Sequence, residues 1–241
     1  MVRNRVIDDV DRRVLRTSIA AAALCLVTFL VLRLLLLILD GASPLDIWLT
    51  EHIRQPHPSQ GLQIVERLAA APGSNKGATA LILGVAAWAW LFRRDVRPGV
   101  LLIAPFVVTK ALVEVLKMLL GADVRVVPFP PTGEMDDRAF LSSHVAVAVA
   151  VLAMLVILIW LFGRRDLLFP AMAVAIVLVS AVALSVMATD KHYFVDVLCG
   201  AAVGGFCVAV FAPVGELIWR RLPAPRSPAS SQELADQAST R

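Results

Sequence analysis

Two short segments hold the residue types best suited to chemistry. In KHYFVDVLCG, His192 and Asp196 stand four apart. On a helix that spacing puts both on one face, where the carboxylate can fix the imidazole's tautomer and raise the basicity of the other ring nitrogen. An imidazole held in this way can act as a nucleophile or a general base; a plain ion pair or cap is the competing reading. In FLSSHVAVAV, Ser142, Ser143 and His144 open an apolar run. Serines there are caps by default, but helix-start amides joined by hydroxyls also make an anion site.

The elements that must carry these segments follow from composition. Of 241 residues, 59% are hydrophobic and 17% charged, against roughly 45–50% and about 25% in a soluble domain. This excludes a small soluble enzyme, a disordered chain and, with three cysteines, a disulfide scaffold. Apolar runs near the ~20 residues that span a bilayer lie at about Ser18–Leu39, Gly77–Phe92, Pro98–Leu120, Ser142–Phe162, Leu167–Ala188 and Phe194–Trp219. The first is too long for a signal peptide and lacks a small-residue cleavage site. The expected fold is therefore all-α, a bundle of six transmembrane helices spanning 18–221, between a basic N-terminus at 1–17 and a disordered cytoplasmic tail at 222–241.

Basic residues set the orientation. Arg3, Arg5, Arg12, Arg13 and Arg16 precede the first span; Arg93, Arg94 and Arg97 follow the second; Arg164 and Arg165 follow the fourth; Arg220, Arg221 and Arg226 follow the sixth. Such residues stay cytoplasmic, which places both termini inside; the membrane expected is the cytoplasmic one. Their distribution argues for this topology rather than for a nucleic-acid partner, despite a net charge of +4. The segments 40–76, 121–141 and 189–191 then face outward, the first with an amphipathic piece lying on the membrane surface. Both histidine segments fall at that outer face.

Two imidazoles, one oriented by a carboxylate, beside an anion pocket fit phosphoryl transfer: one attacks phosphorus and the other protonates the leaving oxygen. Lys117, Arg125, Arg138 and Lys191 are the cations available to hold phosphate. No carboxylate or His/Cys cluster has metal-ligand spacing, so no metal or other cofactor is expected.

The order of these segments resembles the type 2 phosphatidic acid phosphatase superfamily, whose motifs are Lys, six residues, Arg-Pro; Pro-Ser-Gly-His; and Ser-Arg, five residues, His, three residues, Asp. FLSSH aligns with the second, with Leu141 in place of Pro and Ser143 in place of Gly. SVMATDKHYFVD aligns with the third through Ser185, His192 and Asp196, with Val186 at the arginine position. KMLLGADVRV has seven residues between Lys117 and Arg125, and Val126 where Pro stands. The resemblance implies that His192 forms a phosphohistidine, Asp196 orients it and His144 serves the leaving group, with Lys117, Arg125, Arg138, Ser142, Ser143 and Lys191 binding phosphate. Lys191, Arg138 or Arg125 must then replace the motif arginine's charge.

The resemblance thus implies a metal-independent hydrolase of a membrane lipid phosphate, active at the extracytoplasmic face. Phosphatidic acid, phosphatidylglycerol phosphate and polyprenyl phosphate or diphosphate are the substrates considered. HYFVDV is also similar to the His-Tyr-x-x-Asp-Val signature of head-group synthases, so a phospholipid head-group transferase is the second reading, and an inactive lipid-phosphate-binding or transport relative the third. In the third span, Lys110, Glu114 and Lys117 share a face. Charges at that depth cost about 2.5–3.5 kcal/mol each, so Glu114 is expected to face the interior, tied to Arg33, Lys110 or both.

Overall fold

A computed structural model describes residues 2–39, 43–53, 60–120, 141–189 and 192–221. Every regular element among them is helical: α1 (Val2–Ile38), α2 (Pro44–Ile53), α3 (Gln60–Ala70), α4 (Asn75–Arg93), α5 (Arg97–Leu120), α6 (Ser143–Leu161), α7 (Leu168–Ala188) and α8 (Phe194–Arg221), with 3-10 turns at Ala71–Gly73 and Arg165–Leu167. Among the described residues, five helices are long and apolar enough to cross a membrane: α1 from Arg12, then α5, α6, α7 and α8. The run expected as the second span is α4, 19 residues long. Asn75 and Lys76 fill its first turn, and it is not among the five.

Helix α6 is the centre of the bundle. It packs against α8, α7 and α5, and half of its apolar window is buried, against 6% for α7 and 11% for α1. The outer helices therefore present long hydrophobic faces outward, as lipid-facing helices do. Lipid tails are as apolar as the side chains they touch, so burial of apolar area cannot drive helix pairing here; close packing must. The sequence supplies it with small residues, Ala146, Ala148 and Ala150 on α6 and Gly200, Ala202 and Gly204 on α8, all buried.

One end of the bundle is held by rings and ion pairs. Arg97 is buried, pairs with Asp95 at 2.7 Å, donates through Nη1 to the Trp219 carbonyl at 3.1 Å and lies 4.2 Å from the Trp219 ring centroid. Phe162 packs edge-on against Trp219 and Trp88. Burial works against the charge of Asp95, but the hydrogen bonds and charge of Arg97 outweigh it and hold the carboxyl below its usual range. Arg97, counted in sequence as a loop charge, is thus a buried clamp joining the start of α5 to the end of α8.

Helix α5 differs from expectation. Glu114 does pair with Lys110, at 3.5 Å, but its side chain is 57% exposed and points away from the interior. Arg33 instead donates to the Leu120 carbonyl at 3.2 Å, fastening α1 to the last turn of α5. Helix α3 carries an exposed apolar stripe of Ile64, Val65 and Leu68, as an amphipathic piece on the membrane surface would, while Glu66 and Ala69 are half-buried.

Candidate active site

At the other end, α6 and α8 begin side by side. The amide of Ser142 donates to the carbonyl oxygen of Asp196 at 3.1 Å. Glycines allow that approach: a Cβ on Gly200 would lie 2.5 Å from the Ser142 carbonyl oxygen, and one on Gly204 would overlap the Ala146 carbonyl. On the other side of α6, a Cβ on Gly73 would overlap the carbonyl of His144. The small-xxx-small spacing of Gly200 and Gly204 is the sequence device for such a backbone seam.

Ser142 is fully buried and caps α6, its side chain accepting from the Val145 amide at 3.5 Å. Leu141 before it is also fully buried and adopts φ 89°. Left-handed backbone is rare for a branched side chain and costs of order 1–3 kcal/mol. Proline, locked near φ −65°, could not take this conformation, so leucine at position 141 accords with the local backbone. Ser143 and His144 form the first turn of α6 and are half-buried.

His192 lies just ahead of α8, its side chain almost wholly enclosed. Its Nδ1 is 3.9 Å from Asp196 Oδ2, and the same oxygen accepts the Tyr193 amide at 3.1 Å. A separation of 3.9 Å is an ion-pair distance rather than a hydrogen bond, and such contacts often tighten only with substrate bound. Nδ1 is the ring nitrogen turned toward the carboxylate. Both helix starts direct their positive dipole ends to this region.

The cations are less completely placed. Lys117 is half-buried in the last turns of α5, where neighbouring Leu116 and Leu120 pack with Leu141 and Val195. Arg125, Arg138 and Lys191 lie outside the described residues. Ser185, in register with the third motif, donates to the Glu66 carbonyl at 2.8 Å and so anchors α3 on α7. Val186, at the arginine position, is 2% exposed and packs with Val145, Val182 and Val197. The geometry thus joins His144, Ser142, His192 and Asp196 at one end, with an apolar plug where a motif cation would stand. Sequence reasoning overlooked Asp46, a fully buried carboxylate whose Oδ1 accepts the Val195 amide at 3.0 Å; the Ser43-x-x-Asp46 capping-box spacing was its one sequence signal.

A family model described as the PAP2 superfamily matches residues 98–219. Among solved structures, the chain is similar to the crystal structure of a transmembrane PAP2-type phosphatidylglycerolphosphate phosphatase from Bacillus subtilis, with a TM-score of 0.66 and 20% identity, covering 83% of this chain and 98% of that one. No curated protein matches the chain.

Proposed function

The chain belongs to the PAP2 superfamily, and on that premise we propose that it is a multi-pass membrane phosphatase that hydrolyses a lipid phosphate through a phosphohistidine. The observation that carries the reading is the Ser142–Asp196 backbone bond, which sets the Ser-Ser-His start of α6 against the His-x-x-x-Asp start of α8. In the proposed first step His192 Nε2 attacks phosphorus, the bond from phosphorus to the lipid oxygen breaks, and His144 gives that oxygen a proton. In the second, water attacks the phosphohistidine, His144 takes the water's proton, and inorganic phosphate leaves with His192 restored. Asp196 holds the imidazole and favours its charged form as the bond develops. The helix-start amides, Ser142, Ser143 and Lys117 bind the phosphate oxygens, with Arg125, Arg138 and Lys191 supplying further charge.

The proposed orientation keeps the arginine-rich end, with Arg93, Arg164 and Arg220, in the cytoplasm and the histidine end outside. It counts α4 as a sixth crossing, since 19 residues rise about 28 Å. The deciding experiment is phosphate release by the purified full-length protein in detergent with EDTA, against phosphatidic acid, phosphatidylglycerol phosphate and polyprenyl phosphate or diphosphate. Release from at least one, lost in His192→Ala, is expected. Product formed only when a second lipid is added would reassign the protein as a head-group transferase, and no turnover with any of them would sink the enzymatic reading.

A further inference from the structure

Asp46 lies in the short helix α2, far in sequence from either histidine segment, and is fully buried. Its Oδ2 accepts the amide of Ser43 at 3.0 Å and the Ser43 hydroxyl at 2.8 Å, while the Asp46 amide donates back to the Ser43 hydroxyl oxygen at 3.1 Å. That reciprocal pair is a capping box for α2. It leaves Oδ1, which crosses to α8 and accepts the amide of Val195 at 3.0 Å.

Helix α8 starts from a tyrosine. The Tyr193 carbonyl accepts the Val197 amide at 3.1 Å, which makes Tyr193 the capping residue. Tyrosine is not among the Ser, Thr, Asp and Asn side chains that satisfy a helix start, and the first amides of any helix have no partner inside it. Two carboxylates fill the gap, Asp196 reaching back to the Tyr193 amide and Asp46 taking the Val195 amide. A negative charge at this end also suits the helix dipole.

We infer that Asp46 is a positioning residue for the His192–Asp196 couple, capping α8 from a separate helix. Releasing the Val195 amide frays the turn that carries Asp196, and with it both the approach of that carboxylate to His192 and the Ser142–Asp196 backbone bond. The catalytic consequence rests on the proposed phosphatase reaction; the cap does not.

The test uses the full chain in detergent and two readouts, amide hydrogen exchange over residues 193–198 and kcat with KM for phosphate release. Asp46→Ala removes both oxygens; Asp46→Asn keeps an oxygen that can accept the Val195 amide; Ser43→Ala breaks the α2 box and leaves Oδ1 in place. Asp46→Ala should speed exchange in 193–198 and lower kcat by about 10–100-fold, the order expected for a small misplacement of reacting groups, with KM within about twofold. Asp46→Asn should recover most of the kcat, and Ser43→Ala should loosen α2 while keeping kcat within about twofold of wild type.

Unchanged exchange at 193–198 in Asp46→Ala overturns the inference, as does faster exchange with kcat intact. If Asp46→Ala does not fold, a fall in kcat of about tenfold or more in both Asp46→Asn and Ser43→Ala overturns it, because that would mark a general structural role. A wild-type protein that releases no phosphate from any lipid sinks the proposed function alone. The exchange data, with the tautomer of His192 read from ring nitrogen shifts in wild type and Asp46→Ala, then decide the role of Asp46.

Discussion

Ser142 and Asp196 are joined main chain to main chain, the amide of one donating to the carbonyl oxygen of the other at 3.1 Å. A shift of α8 therefore reaches the start of α6 without passing through any side chain that could rotate to absorb it. The start of α6, which carries His144, is thus tied to the start of α8 by backbone packing.

Gly200→Val should uncouple the two helix starts. The added Cβ would meet the Ser142 carbonyl oxygen at 2.5 Å, and that backbone atom cannot swing aside. Turnover is expected to fall about 100-fold, as for misplacement on the scale of 1 Å, with a lower Tm. Gly84→Ala, where nothing lies within 4 Å, should keep full turnover and be more stable by up to about 1 kcal/mol. Phosphate release and thermal unfolding in detergent check both.

Restoring the motif arginine should fail. Val186 is enclosed by Val145, Val182 and Val197, so Val186→Arg buries an unpaired charge, at a cost of about 3 kcal/mol or more. A depressed Tm with no gain in turnover is the expected outcome; a stable, faster variant would show that the guanidinium reaches the site past these side chains.

The clamp at the opposite end gives a signature in acid. The carboxyl of Asp95 is held below its usual range, so its contribution to stability is present above the ordinary value of about 3.9 and is lost as pH falls through the lowered value in the folded protein. Asp95→Asn should abolish that part of the acid sensitivity and, by leaving Arg97 buried without its carboxylate, lower stability at neutral pH by about 3 kcal/mol. Tm measured from pH 7 down to pH 3 for both proteins decides this.

The outward stripe of α3 should sit in lipid. Ile64, Val65 and Leu68 are exposed and α3 packs on α7, so the stripe continues that helix's lipid-facing surface. A spin label at position 68 in vesicles should be accessible to oxygen and shielded from a polar relaxant; a label exposed to the aqueous relaxant would place the stripe in water.

Sequence made the long apolar runs and the two histidine segments visible because each depends on local spacing. It hid what depends on distant contacts. Asp46 meets Val195 only after folding, and Arg97 reads as a loop charge until Trp219 closes over it. The facing of Glu114 was hidden for another reason: α5 carries Leu and Val on every side, so no apolar stripe tells interior from lipid, and the rule that charges turn inward placed an exposed carboxylate in the core. Val186 was legible as a departure from the motif arginine; that it is packed among valines was not.

Helix α1 makes its main contacts with α8, burying Phe29 and Leu36 in the cluster that includes Val195 and Cys199. It leaves the ribosome before the surface it docks on has been made. During synthesis it must wait in the bilayer, stable as a lone span but unassembled, and the histidine end can close only when α8 has been inserted. A nascent chain cut short before α8 would reach the membrane with its anchor in place and without the Ser142–Asp196 junction.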